Sequence, residues 1–324
     1  MEKLKSVFKI ISLLIIMLIG IGIFTNYNSV VSAQNNKTVK FGYVEWPGVT
    51  VKTHVAKTIT EYLGYETEMT SGMKPTILKG LDIKDLDIFL GLWLPQMDND
   101  FKPYKEKGSI EIVRVNLEDV VWRTGVPEYV WEAGIKSHED LAEHADKFDH
   151  KWYGLEPGSS GNTIMQEAIK NNIYDLGDWK VVTSSEASMM AAVEKHINKN
   201  EWIAWSAWKP HWMNIKYDIK YLDDPEHIWA EEGTDKRVLT VTRDNFKKDM
   251  PNYYNFLKQF KITSPIQSEW ILEYGKNNKP AEEVAKEWIA NNLDIVNQWV
   301  FGVKSVDGRM ARKVIAEKVE KNNN

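Results

Sequence analysis

The 324-residue chain has no cysteine, so neither a disulfide framework nor a lipid-modified cysteine is available to it. Its core alone must hold it together. It also lacks an excess of positive charge, with 41 basic residues facing 46 acidic ones for a formal net charge of −5. That balance argues against nucleic acid as a partner, because a polyanion is met by a basic face. Long apolar runs are confined to Ile10 to Phe24, preceded by three lysines and followed by the small residues Val31-Ser32-Ala33. Residues 1–33 therefore read as an export signal, or as an uncleaved membrane anchor, since the run is near the lower length limit for a spanning helix. Setting this segment aside removes three lysines and one glutamate and takes the net charge from −5 to −7. The expected location is outside the cytoplasmic membrane, at a cell surface or in a periplasm.

Catalytic equipment is scarce too. His138, His144 and His150 lie six residues apart, whereas neighbours on one helix face are three or four apart, so no metal site is expected. Ser159 and Ser160 stand in Gly158-Ser159-Ser160-Gly161, which is not the Gly-x-Ser-x-Gly elbow of a hydrolase, and no strand-borne acid accompanies His211. The sequence predicts no enzyme and no cofactor.

What the chain does have is tryptophan, 14 residues of it. Four fall within Glu201-Trp202-Ile203-Ala204-Trp205-Ser206-Ala207-Trp208-Lys209-Pro210-His211-Trp212. Strand alternation puts Trp202, Ala204, Ser206 and Trp208 on one face and Ile203, Trp205 and Ala207 on the other. Pro210 stops the ladder because proline has no N–H to donate. Trp208 thus stands at a strand tip, where α/β proteins hold ligands, while Trp202, Trp205 and Trp212 read as packing. Trp93 repeats the arrangement, an apolar strand, then Trp, one residue and Pro; Trp46 also follows a strand and precedes Pro47. Three indoles at carboxyl ends of strands are more than core packing requires.

The rest of the chain alternates strand and helix signals: a strand at Thr38 to Val44, a helix through Val51, Val55, Ile59 and Leu63, strands at Tyr65 to Thr70 and Leu86 to Trp93, and extended chain from Ile110 to Trp122. Such alternation argues for an α/β fold with mainly parallel sheet. A strand at Lys151 to Glu156 leads into Pro157-Gly158-Ser159-Ser160-Gly161-Asn162, which opens a helix at Thr163. A glycine-serine loop before a helix exposes N–H groups at the positive end of the helix dipole and suits an anion. Further helices are expected at Ser137 to Phe148, Ser185 to His196, Met250 to Phe260, Ser268 to Tyr274 and Pro280 to Phe301. With no long linker, two lobes fit best, one from 38–122 and 237–302 and the other from 123–236. Residues 303–324 read as a charged tail that frays or forms a solvated helix.

Several aromatic faces plus an anion site suit a quaternary ammonium compound with a carboxylate at its other end. Such a cation has no N–H to donate, so ring faces attract it, at roughly 0.5 to 2 kcal/mol each. A sugar also stacks on tryptophan, but needs more directional polar partners than these turns offer.

Five ordered motifs then carry a resemblance: Gly42-Tyr43-Val44-Glu45-Trp46, Asp85-Leu86-Asp87-Ile88-Phe89-Leu90-Gly91-Leu92-Trp93-Leu94-Pro95, Gly154-Leu155-Glu156-Pro157-Gly158, Ser184-Ser185-Glu186 and Trp208-Lys209-Pro210-His211-Trp212. From about Lys40 to Gly302 the chain resembles the glycine betaine and choline binding proteins of ABC importers. The resemblance implies a two-lobed type II periplasmic-binding-protein fold with the ligand between the lobes, and as partners the ABC permease subunits with their ATPase. Membrane contact would then come through the permease or an N-terminal anchor. It implies an aromatic box from Trp46, Trp93 and Trp208, with Trp122 where the choline-binding branch has tyrosine, and Ser159 touching the ligand's polar end. Two positions depart from the choline-type pattern: Gly48 replaces an aspartate and Ser159 an asparagine. Loss of a carboxylate favours a ligand that is itself a carboxylate. Glycine betaine, proline betaine or carnitine is expected ahead of choline for osmoprotectant uptake, the alternatives being a choline-binding relative or a non-transport betaine sensor.

Overall fold

The computed structural model describes residues 38–229 and 236–322; the expected signal or anchor at 1–33 lies outside the described residues. Ten strands run in chain order as β1 (Thr38–Tyr43), β2 (Glu66–Ser71), β3 (Ile88–Leu94), β4 (Ile110–Leu117), β5 (Val121–Pro127), β6 (Lys151–Tyr153), β7 (Lys180–Val182), β8 (Ala204–Lys209), β9 (Ile219–Tyr221) and β10 (Arg237–Arg243). They form two five-stranded sheets, ordered β2-β1-β3-β10-β4 and β7-β6-β8-β5-β9. The pairs β1–β3, β6–β7 and β6–β8 are parallel. The expectation of mainly parallel sheet is not met, because the sheets are mixed: β10 runs antiparallel to both β3 and β4, and β5 antiparallel to both β8 and β9. Each of these two strands enters its sheet directly after the chain has crossed from the other one, and so arrives from the opposite side.

The first crossing divides what reads as one extended run. Ile110 to Trp122 splits into β4 and β5, with Asp119 between them at φ 56°. Trp122 therefore belongs to the second sheet, and the boundary falls a few residues earlier than the sequence implies.

The principal helices are α1 (Pro47–Tyr62), α2 (Lys74–Asp82), α3 (Asp98–Lys107), α4 (Ser160–Lys170), α5 (Glu186–Asn198), α6 (Pro251–Gln259), α7 (Ser264–Ile271), α8 (Ala281–Asn291), α9 (Leu293–Trp299) and α10 (Ala311–Asn322). Helix α1 opens on a proline, whose missing N–H is no loss in a first turn, and buries Val51, Val55 and Ile59 at helical spacing. It packs against α7 and α8. Lys52 of α1 is fully buried, donating to Asn116 Oδ1 at 2.7 Å and to the Leu90 carbonyl at 3.4 Å. Burial lowers its pKa to about 7.

Three helical expectations change. Pro280 to Phe301 is divided at Asn292 into α8 and α9. Ser137 to Phe148 forms two 3-10 turns with a kink at His144 rather than an α-helix, although the capping box at Ser137 is present, closed by Asp140. Residues 311–322, expected to fray or to form a solvated helix, do form the helix α10, but bury Ala311, Val314, Ile315 and Val319. Their spacing of three or four lays one apolar stripe on the body of the protein. No helix among the described residues is long and apolar enough to cross a membrane.

Candidate functional site: a cavity walled by tryptophan

Trp46 stands just beyond β1 as the residue before α1, and Trp93 near the end of β3, both with the first sheet. Trp122 and Trp208 come from the second, directly opposite one another in the β5–β8 register. Residues directly opposite across antiparallel strands send their side chains to the same face. All four indoles line one cavity of about 20 Å³, together with Gly48, Val49, Leu155 and Gln267. Their exposures are 8%, 5%, 3% and 8% for Trp46, Trp93, Trp122 and Trp208.

Trp122 is the hinge of the cluster. Its ring lies edge-on to Trp46 at 6.1 Å and 72° and to Trp93 at 6.0 Å and 76° between centroids. Behind it stand Trp229 at 6.4 Å and then Trp152, 6.0 Å further on. Polar partners fix the indoles: Trp122 Nε1 donates to Ser206 Oγ at 2.8 Å, and Trp46 Nε1 to Glu156 Oε1 at 3.0 Å. Gly161, at the start of α4, keeps the close approach possible, because a Cβ there would meet Trp122 Cζ2 at 3.1 Å. Trp208 rests on His211 at 4.7 Å, and His211 Nε2 bonds Glu186 Oε1 at 3.0 Å.

The second bond from Trp46 spans the two sheets, since Glu156 follows β6. Burial holds the Glu156 carboxyl above the usual carboxylate range, only partly opposed by the hydrogen bond from Trp46. Lys74 of α2 makes another such bridge, donating to Ser160 Oγ at 2.8 Å and pairing with Asp100. A larger groove of about 810 Å³ adjoins the other side of Trp46 and is lined by Glu45, Glu156, Glu186, Glu194, Trp212 and Tyr274 among others. No group of three or more metal-ligating side chains occurs among the described residues.

Of the five residues expected at the site, the four tryptophans meet and Ser159 does not line their cavity. Ser159 precedes α4 and is 1% exposed, its Oγ without a hydrogen-bond partner among the described residues and not capping the helix. Trp205 is fully buried in the core, Trp202 stacks on His144 at 5.7 Å under Lys147, and Trp212 lines the larger groove. The residues that local sequence reading passes over are Val49, Leu155 and Gln267, with Gly48 noticed only for a missing carboxylate. Gln267 in particular carries no local signal, because α7 reaches the cavity only through its packing on α1.

A two-lobed α/β body with an aromatic cavity where the lobes meet defines a type II substrate-binding protein. Residues 37–291 match the family described as the substrate binding domain of ABC-type glycine betaine transport systems, and the chain belongs to that family. Over 176 residues it is 37% identical to the glycine betaine/carnitine transport binding protein GbuC of Listeria monocytogenes, a match covering 54% of this chain and 56% of that protein. Among solved structures, it is similar to an ABC-transporter choline binding protein in complex with choline, with TM-score 0.85, 31% identity, and coverage of 88% of this chain and 99% of that one. The lactococcal OpuAC complexed with glycine betaine gives TM-score 0.72 and 29% identity over 82% of this chain and 99% of that one.

Proposed function

We propose that this chain is the extracytoplasmic binding component of an ABC importer and captures a betaine, with glycine betaine, proline betaine or carnitine ahead of choline. The observation that carries the reading is the composition of the cavity wall: four indoles, two from each lobe, and no charged side chain among the lining residues. Ring faces attract a trimethylammonium group from several sides at once, at roughly 0.5 to 2 kcal/mol per ring. The ligand's carboxylate then lies on the first turn of α1, where a 16-residue helix offers its positive end and the N–H of Gly48, those of Val49 and Thr50 being given already to the Trp46 carbonyl. This replaces the Ser159 loop as the anion end of the site.

Bonds such as Trp46 to Glu156 and Lys74 to Ser160 support capture by closure of the lobes, and release to a permease with its ATPase follows from opening. The chain binds and hands over; no catalytic step is assigned. Titration with glycine betaine, proline betaine, carnitine and choline, followed by tryptophan fluorescence, tests the reading. A betaine should bind tightest, and tighter binding of choline than of all three betaines overturns the ranking.

A further inference from the structure

We propose that Gln267 is the specificity-determining residue of the cavity, its carboxamide holding the polar end of the ligand. This rests on the cage reading above and extends it to a residue outside the aromatic set. Gln267 lies on α7 with 3% exposure and lines the cavity. Apart from the indoles, which can only donate, the remaining lining residues are Gly48, Val49 and Leu155, so Gln267 is the lining side chain that can both donate and accept. Two of the indole N–H groups are already given to Glu156 and Ser206.

The amide is placed for this task by an absence on the facing helix. A Cβ at position 48 would stand 2.6 Å from Gln267 Nε2 and 3.1 Å from Ile271 Cδ1. Glycine at 48 thus lets the carboxamide lie against the first turn of α1, and any larger residue there would displace it. Oε1 has no hydrogen-bond partner among the described residues. A buried polar atom left unpaired is costly and uncommon; a ligand hydroxyl could donate to Oε1, whereas a ligand carboxylate has to be met by the Nε2 donors of the same carboxamide.

The chemistry follows from charge. A carboxamide donates two N–H bonds and carries no charge, so it accepts a carboxylate beside it. A glutamate of the same shape would repel that carboxylate in a desolvated site and would accept the hydrogen of an alcohol instead.

The test compares wild type, Gln267→Met and Gln267→Glu against glycine betaine, choline and tetramethylammonium, which has the cation and no polar end. Gln267→Met should cost betaine at least about 10-fold more affinity than it costs tetramethylammonium, as expected for a lost bond to a charged group. Gln267→Glu should shift the betaine-to-choline preference toward choline by about 100-fold. Tetramethylammonium binding by the variants reports that they are folded with the cage intact. Wild-type ratios in both variants overturn the role of Gln267 alone. Failure of wild type to bind any of the three overturns the cage reading, and this inference with it.

Discussion

The protein builds two tryptophan clusters. One joins Trp270 on α7, Trp288 on α8 and Trp299 on α9, with centroids 5.1 Å apart for the first pair and 5.4 Å for the second, the latter stacked at 18°. The other is the cavity wall of Trp46, Trp93, Trp122 and Trp208. Both are buried, so burial does not tell them apart. What differs is the scaffold. Helix-borne indoles interdigitate and fill space against one another, whereas strand-end indoles are held by the ends of two different sheets and keep a gap between them. The same residue is mortar in one place and a binding surface in the other, according to whether its backbone lets a neighbour reach its face.

The contrast is broken first at its most packed point. Trp270→Ala should cost about 3 to 5 kcal/mol of stability, as large-to-small core changes do, measured by denaturant unfolding. The folded fraction should keep its betaine affinity within about threefold. A comparable loss of affinity would mean that the helical cluster is part of the site.

Lys52 offers a second effect, of comparable size over its whole pH window, on the helix that begins at the cavity and packs along α7 and α8. Burial lowers its pKa to about 7 in the folded protein, against the ordinary 10.5. Between those values the unfolded chain holds the proton and the folded one does not, so this residue makes stability rise with pH through the window. The rise is about 1.4 kcal/mol per pH unit. Unfolding curves from pH 7 to 10 should lose that slope in Lys52→Met, and equal slopes in the two proteins would refute the assignment.

The smallest change is at the cavity. Trp208→Ala should weaken betaine binding by about 10-fold, in line with one ring at the upper part of the cation–π range, while its unfolding midpoint falls less than that of Trp270→Ala. Wild-type affinity in this variant would place the ligand elsewhere.

How much of this was legible depends on where each signal lies. Trp93 and Trp208 were readable because a strand, an indole and a proline sit within a few residues, and a strand tip follows from local chemistry. The helix starting at Pro47 was readable for the same reason. Trp122 was readable as a candidate but not as a member of the second sheet, since the β-rich run from Ile110 hides the turn at Asp119. Ser159 was drawn in by its glycine-rich loop, yet the loop turns its neighbour Gly161 toward Trp122 and leaves the serine hydroxyl outside the cavity lining. Gln267 was unreadable, because a glutamine mid-helix is ordinary until another helix brings a glycine against it.

Strand β10 has a consequence for the order in which the protein can be made. It lies between β3 and β4, yet it follows them in the chain only after the whole second sheet. That second sheet is continuous in sequence from Val121 to Tyr221 and can pair as soon as its residues emerge. The first sheet must wait with β3 and β4 apart until Arg237–Arg243 is synthesised. At ordinary ribosomal speed this delay is on the order of ten seconds. During it β3, already beside β1, keeps one edge open and β4 lacks its partner strand, the kind of edge that invites aggregation.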